Sequence, residues 1–255
     1  MSEPEEPVTA CLIIIGNEIL SGRTVDANLP YIAARLGEIG IRIAEARVVP
    51  DDEGAIVDAA NACRARHTYV FTTGGIGPTH DDITARSIAQ AFGRRFERNR
   101  EAESRLLAYY PPERVNEARM SMADMPEGVE LIDNPISVAP GFRIENVHVL
   151  PGVPQIMQAM LDGLLPGLKG GAQVLSRAIT VLAPEGDVAA AGLGEIQARF
   201  PALEIGSYPF WRPEGPGTTV VSRGTDQAQI DAAAEALLEL AARLNAETRE
   251  HPTSA

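Results

Sequence analysis

Apolar runs and amphipathic stretches alternate without a break over the first 73 residues, and that order leaves few folds open. Val8 to Ile15 is a continuous apolar-rich run of strand length, as expected for a strand buried on both faces. Gly16 to Arg23 follows as a loop. Asp26 is then placed to cap a helix whose stripe, Leu29, Ile32, Leu36 and Ile39, recurs at spacings of 3, 4 and 3. Gly40 ends that helix and Ile41 to Val49 is a second strand. Pro50-Asp51-Asp52 opens a second helix with Ile56, Ala60 and Cys63 on one face, and Thr68 to Thr73 is a third strand. Strand–helix–strand–helix–strand predicts parallel pairing through right-handed crossovers, hence an α/β domain.

Beyond Thr84 the reading continues in the same style. A helix carries Ile83, Ile88 and Phe92. Glu97 to Ser121 is rich in Arg and Glu and broken at Tyr110-Pro111-Pro112, which predicts a solvated or interface-covering helical hairpin. Val129 to Asp133 and Phe142 to Leu150 are short strands, the latter a pair turning at Glu145-Asn146. Pro151-Gly152-Val153-Pro154 opens a helix with Ile156, Met157, Met160, Leu161 and Leu164 inward, the methionines as core filler. Leu168-Lys169-Gly170-Gly171 is the linker. After it a strand from Leu175 to Leu182, a helix from Asp187 to Phe200, strands around Ile205 and Val220, and a helix with Ile230, Ala234, Leu237, Ala241 and Leu244 predict a smaller α+β domain. The expected boundaries are 7–169 for the first domain, 172–246 for the second, and a disordered tail over 247–255.

Charge excludes several functions. The chain carries a formal charge of -13, which repels a phosphate polymer, so no nucleic-acid partner is expected. Its single lysine, Lys169, precedes glycine, so the G-K-[ST] core of a nucleotide-binding P-loop is missing. Cys11 and Cys63 read as buried reduced thiols and show no zinc-ligand spacing. The histidines stand at 67, 80, 148 and 251, His148 being read as structural. The acidic start does not resemble a secretory signal and no apolar run is long enough to span a bilayer, so a cytoplasmic protein without a membrane partner is expected.

Chemistry concentrates in Thr72 to Thr84, TTGGIGPTHDDIT. Three glycines after a strand let the backbone turn and bring amides close to a phosphate or diphosphate. Two carboxylates, Asp81 and Asp82, then follow. One reading is a capping box, with Thr79 as N-cap and Asp82 three residues on. The other is metal–phosphate chemistry. Carboxylates roughly 5 Å apart repel by about 1 kcal/mol in water but about 3 kcal/mol in a closed cleft, and a divalent cation relieves that. In an open parallel sheet, ligands bind beyond the carboxyl ends of the strands. There Gly16-Asn17-Glu18, Thr73 to Asp82 and Leu150 to Pro154 should gather, with Glu18 and Asp26 as further carboxylates and His80 as a candidate for proton transfer.

These motifs together resemble one family. Gly16 to Arg23 with Asp26 and Asn28, Thr73 to Thr79 with Asp81 to Thr84, Asn134-Pro135, Ala139-Pro140-Gly141 and Leu150 to Pro154 look like the MoaB/Mog-like molybdopterin-binding domain at the N-terminus of the CinA (competence/damage-inducible protein A) family. The resemblance spans about residues 8 to 168. The second block, marked by Ile205 to Phe210, is similar to that family's small KH-like domain. The resemblance implies a three-layer, mostly parallel α/β fold with a second, smaller α+β domain, and a homo-oligomer with Glu97 to Met122 as candidate interface. It also implies divalent-metal-dependent hydrolysis of ADP-ribose or FAD, with non-catalytic binding of molybdopterin or a nucleotide as the alternative.

On that reading Asp82, Asp81 and His80 are catalytic. Asp82, Glu18 and Asp26 hold Mg²⁺, Mn²⁺ or Co²⁺. Gly16, Asn17, Gly74, Gly75, Gly77, Thr79, Asn134, Ser137, Gly141, Pro151 and Gly152 bind a nucleotide diphosphate or pterin. The chain departs from the family pattern at Asn17, where aspartate is usual, at Ser137-Val138 in place of Gly-Thr, and at Ile156 in place of glutamate. The deamidase domain that often follows in this family is not expected, the sequence ending at Ala255.

Overall fold

A computed structural model describes residues 7–213 and 215–253. The chain divides into two compact units at Gly171/Ala172. The first runs β1 (Thr9–Ile15), α1 (Asn17–Leu20), α2 (Asn28–Gly37), β2 (Arg42–Val49), α3 (Glu53–Arg64), β3 (Tyr69–Thr73), α4 (Thr84–Ala91), β4 (Phe96–Arg98), α5 (Arg100–Tyr109), α6 (Glu117–Met120), β5 (Asp124–Pro126), β6 (Glu130–Ile132), β7 (Gly141–Ile144), β8 (Val147–Leu150) and α7 (Pro154–Leu164). Six strands form one sheet in the order β2-β1-β3-β8-β7-β6. β2, β1, β3 and β8 pair in parallel, whereas β7 and β6 pair antiparallel to their neighbours.

Alternation along β1 builds the three layers. Cys11, Ile13 and Ile15 face a core with Ile56 and Cys63 of α3, Ile88 of α4 and Leu106 of α5. Ala10, Leu12 and Ile14 face the opposite core with Ile32 and Leu36 of α2 and Met157, Met160 and Leu161 of α7. A strand buried on both faces must be apolar at every position, which is why β1 shows no period of two. Helix starts follow local chemistry. Asp52 accepts from the Ala55 amide at 2.9 Å and caps α3, and Asn99 caps α5 through the Glu101 and Ala102 amides.

Several expectations are corrected. Residues 17–20 form a short helix rather than open loop. The stretch from Glu97 is not helical at its start: Phe96–Arg98 pairs with Asp124–Pro126 as a two-stranded sheet. Arg98 fixes that arrangement by bonding Glu103, Glu117 and Asp124 at once.

The second unit runs β9 (Leu175–Val181), α8 (Glu185–Val188), α9 (Gly194–Arg199), β10 (Glu204–Arg212), β11 (Gly215–Gly224), α10 (Gln227–Arg243) and β12 (Thr248–Glu250). Its antiparallel sheet has the order β10-β11-β9-β12. The single helix expected over 187–200 is interrupted at Gly192, whose φ is 114°. The Pro-rich stretch after Tyr208 continues β10 as far as Arg212. Pro209 is tolerated because β10 is an edge strand, where a missing N–H need not face a neighbour. Thr248–Glu250 is not a disordered tail: it pairs antiparallel with Ile179 to Val181.

Candidate functional site

β1 has β2 on one side and β3 on the other, so the chain reverses its direction of travel across the sheet at β1. Ligands of open α/β sheets bind at such a reversal, beyond the carboxyl ends of the strands. Gly74 closes the end of β3 against β1. Its φ is 104°, and a Cβ there would stand 2.2 Å from the Ile15 carbonyl oxygen. Its amide donates to the Leu150 carbonyl at 3.1 Å, tying in β8. A Cβ on Gly152 would be 3.3 Å from Gly74 Cα, and the Gly152 carbonyl accepts from Asn28 Nδ2 at 3.0 Å. The ends of β1, β3 and β8 and the start of α2 are thus drawn together. They enclose a hollow of about 100 Å³ lined by Ile15, Glu18, Asp26, Asn28, Thr73 and Gly152, among others.

Two polar atoms in this crevice are left over. Asn28 is 4% exposed and Thr73 1%, yet Asn28 Oδ1 and Thr73 Oγ1 have no hydrogen-bond partner among the described residues. A buried polar atom without a partner costs about 1–3 kcal/mol, so such atoms at a strand-end crevice are suited to a ligand. Glu18 folds back over Gly16, where a Cβ would be 2.5 Å from Glu18 Oε1. The N-cap of α2 is Ala27 rather than the expected Asp26, although one Asp26 oxygen accepts from the Leu29 amide in the first turn at 2.8 Å. Asn17 is exposed, and its amide donates to Asp51 at 2.9 Å.

Among the described residues no lysine or arginine lines the crevice, and the side-chain oxygens lining it come from Glu18, Thr24, Asp26, Asn28 and Thr73. That set suits a hard divalent cation of the Mg²⁺ type, which takes one or two carboxylates plus substrate phosphates.

The glycine turn follows directly on Thr73. Gly75 has φ 67°, and a Cβ there would lie 2.2 Å from Thr84 Oγ1. Thr84 is buried; its amide donates to the Gly75 carbonyl and its hydroxyl to the Gly74 carbonyl, each at 2.9 Å. The capping-box expectation is corrected: α4 begins at Thr84, so Thr79 is not its N-cap. Asp82 Oδ2 instead accepts from the Thr79 amide at 2.8 Å and the Thr79 hydroxyl at 2.5 Å, closing a turn ahead of the helix. A Cβ on Gly77 would be 2.6 Å from the same oxygen, so glycine is required there for the carboxylate to fold back. Asp81 and His80 are exposed.

A second hollow, of about 200 Å³, lies on the far side of the turn and is lined by Gly75, Gly77, His80, Asp82, Arg86 and Phe96, among others. Arg86 sits 5.5 Å from the Phe96 ring centre. Asp82 therefore opens on one hollow, and Glu18 and Asp26 on the other. The expectation that these three carboxylates grip one ion is corrected. Among the described residues, the group of three or more metal-ligating side chains within 4.8 Å of one another lies elsewhere, at Cys11, Glu45 and His67.

The loop after β6 reaches the same edge of the sheet. Asn134 is occupied by that loop: Oδ1 accepts from the Ile136 and Ser137 amides, and Nδ2 donates to Ser137 Oγ and the Ala139 carbonyl. Gly141 is a packing glycine, since a Cβ would stand 2.3 Å from the Val149 carbonyl oxygen. Pro151 is half-buried beside Gly152. Arg86, Phe96, Met122 and Asp124 also line the second hollow. Their positions, on α4, on β4, in the turn at Ser121–Ala123 and on β5, carry no shared spacing by which the sequence could group them.

A mostly parallel sheet layered by helices, with a glycine turn at its reversal point, defines a MoaB/Mog-like domain. The chain belongs to the family described as the probable molybdopterin-binding domain, matched over residues 11–170, in its CinA-like form. Residues 173–248 match the domain described as the middle domain of FAD synthase. A relative from Archaeoglobus fulgidus is 33% identical over 230 residues, covering 90% of this chain and 96% of its own. The CinA-like protein of Geobacter metallireducens is 41% identical over 157 residues, 59% of this chain and 38% of that protein. The crystal structure of a CinA protein of unknown function from Thermoplasma acidophilum superposes with a TM-score of 0.59 at 32% identity, covering 62% of this chain and 96% of that one. Among the described residues no helix is long and apolar enough to cross a membrane.

Proposed function

We propose that the chain binds a nucleotide diphosphate astride the glycine turn and hydrolyses the diphosphate bond with a divalent cation, ADP-ribose and FAD being the substrates to try first. The observation that carries this reading is the pair of buried, unpartnered oxygens, Asn28 Oδ1 and Thr73 Oγ1, beside Glu18 and Asp26. Thr73 lines the crevice and Gly75, two residues on, lines the second hollow, so one extended ligand crossing Gly74 reaches both. Likeness to a molybdopterin-binding domain and to a piece of FAD synthase supports the same class of ligand, a ring joined to phosphate.

Each side chain then has a task. Glu18 and Asp26 would hold the cation, and Asn28 and Thr73 would complete its surroundings or hydrogen-bond the phosphate. When bound, the cation neutralises charge on the phosphate oxygens and makes a water more acidic. Arg86 and Phe96 present a flat, cationic and aromatic wall for a base or sugar. His80 supplies a ring nitrogen that can hold or release a proton in the second hollow. Asp82 keeps the turn in shape through Thr79.

A second reading, binding of a pterin or nucleotide without turnover, is favoured by the separation of Asp82 from Glu18 and Asp26. Calorimetry and turnover with ADP-ribose, FAD and a pterin, each with Mg²⁺, Mn²⁺ or Co²⁺, decide between the two. Metal-dependent cleavage supports hydrolysis. Binding without cleavage supports the second reading, and neither rejects both.

A further inference from the structure

Four side chains with no motif spacing meet near the outer edge of the first unit's sheet. They are Cys11 of β1, Glu45 of β2, Cys63 of α3 and His67 just after α3. Cys11 Sγ, a Glu45 carboxylate oxygen and a His67 ring nitrogen lie within 4.8 Å of one another, and Cys63 Sγ is 2.7 Å from Cys11 Sγ. Both thiols are fully buried, whereas Glu45 and His67 are half-buried, so they lead from the thiols towards solvent.

A β-bulge creates the cluster. Pairing between β1 and β2 steps from Ala10↔Ile43 to Cys11↔Glu45, leaving Ala44 as the extra residue. In unbroken register Cys11 would oppose Ala44. The bulge moves Glu45 opposite Cys11, the residue that packs with Cys63 in the α3-side core. Ile43, before the bulge, packs into the opposite core.

We propose that Cys11, Cys63, His67 and Glu45 form a four-coordinate site for a thiolate-preferring divalent cation of the zinc class. Tetrahedral zinc, with sulfur at about 2.3 Å and nitrogen or oxygen at about 2.0–2.2 Å, sets ligand atoms about 3.3–3.8 Å apart. His67 Nε2 and Glu45 Oε2 already stand 3.2 Å apart. Cys63 Sγ touches Cys11 but lies outside the group of Cys11, Glu45 and His67 whose ligand atoms are all within 4.8 Å, so on binding it must move about 1 Å from Cys11 and turn towards the other two.

Supporting groups of the kind that orient metal ligands are present. His67 Nδ1 lies 3.4 Å from Thr9 Oγ1, while Glu45 bonds Arg47 at 2.6 Å and meets Arg66 at 3.4 Å. The two guanidiniums offset the excess negative charge of two thiolates and a carboxylate around a dication. Binding releases both thiol protons to solvent as the two metal–sulfur bonds form, with no change of oxidation state.

The full chain, stripped of metal and kept reduced, is titrated with Zn²⁺ against a chromophoric chelator and with Co²⁺ by absorption. The expected result is one equivalent bound, with tetrahedral cobalt bands and a thiolate-to-cobalt charge-transfer band that an all-oxygen site such as the crevice cannot give. Cys63→Ser weakens that band, Cys11 leaving one thiolate, and the double variant Cys11→Ser/Cys63→Ser removes it. His67→Gln weakens Zn²⁺ binding at least 10-fold. That variant leaves the metal-free melting temperature near that of the parent, and abolishes the rise in melting temperature that Zn²⁺ gives the parent. Absence of the charge-transfer band, unchanged Zn²⁺ affinity in His67→Gln, or loss of both thiols to a Cys11–Cys63 disulfide when the untreated protein is unfolded and counted would each overturn the proposal.

Discussion

Gly74 and Ile15 touch where the sheet reverses: a Cβ on Gly74 would stand 2.2 Å from the Ile15 carbonyl oxygen. The obstructing atom is backbone and φ at Gly74 is 104°, so neither side can yield cheaply. Gly74→Ala is expected to lose at least ~2 kcal/mol of stability and to weaken ligand binding, because the same contact shapes the crevice. Urea unfolding of variant and parent checks this. Equal midpoints would mean that the two strand ends separate freely.

Thr84 clamps the turn from the helix side. Thr84→Val keeps the shape but leaves the Gly74 carbonyl without its 2.9 Å donor. The expected loss is about 1–3 kcal/mol, most of it recovered in Thr84→Ser. A valine variant as stable as the parent would show that the hydroxyl is dispensable.

Val138 stores strain. It has φ 63° at the centre of a tight turn closed by the Ala139 amide on the Ser137 carbonyl at 2.8 Å. This is the rare positive-φ γ-turn, unfavourable for a β-branched residue. Relief of strain should exceed the entropic cost of glycine, so Val138→Gly is expected to gain about 1 kcal/mol. A lower melting temperature would mean that valine's packing against the core outweighs the strain.

His148 couples stability to pH. It is 1% exposed, stacked on Phe71 at 5.0 Å, and its Nδ1 has no partner among the described residues. Burial, aided by Arg143, pulls its pKa down to about 4. The unfolded chain takes up the proton near pH 6.5 and the folded chain only near pH 4, so between those values the unfolded state binds more protons. His148's share of the pH dependence is therefore greatest stability above that window, lost as pH falls through it. In His148→Phe the melting temperature should fall less steeply between pH 6.5 and 4 than in the parent. Parallel curves would remove His148 from the account.

The parts legible in the sequence are those set by local physics. The Leu29-to-Ile39 stripe and the run into β1 betray helix and buried strand because burial imposes a period, or abolishes it. Gly74, Gly75 and Gly77 announce the turn because a side chain would collide there. The side of the turn on which Asp82 falls was not legible, because its bonds to Thr79 decide it, and either placement fits T-x-x-D. β12 was hidden because Thr248, Arg249 and Glu250 form an edge strand with little apolar signal. The Cys11–Glu45–His67 cluster depends on a bulge at Ala44, which no spacing rule reveals.

The most direct measurement is steady-state cleavage of ADP-ribose and FAD by the purified chain with Mg²⁺, Mn²⁺ or Co²⁺, repeated for Glu18→Gln and Arg86→Ala. Turnover is expected to need the cation, to fall at least ~100-fold in Glu18→Gln, and to show a raised KM in Arg86→Ala. Cleavage untouched by Glu18→Gln, or none with any cation, would contradict the proposed hydrolysis.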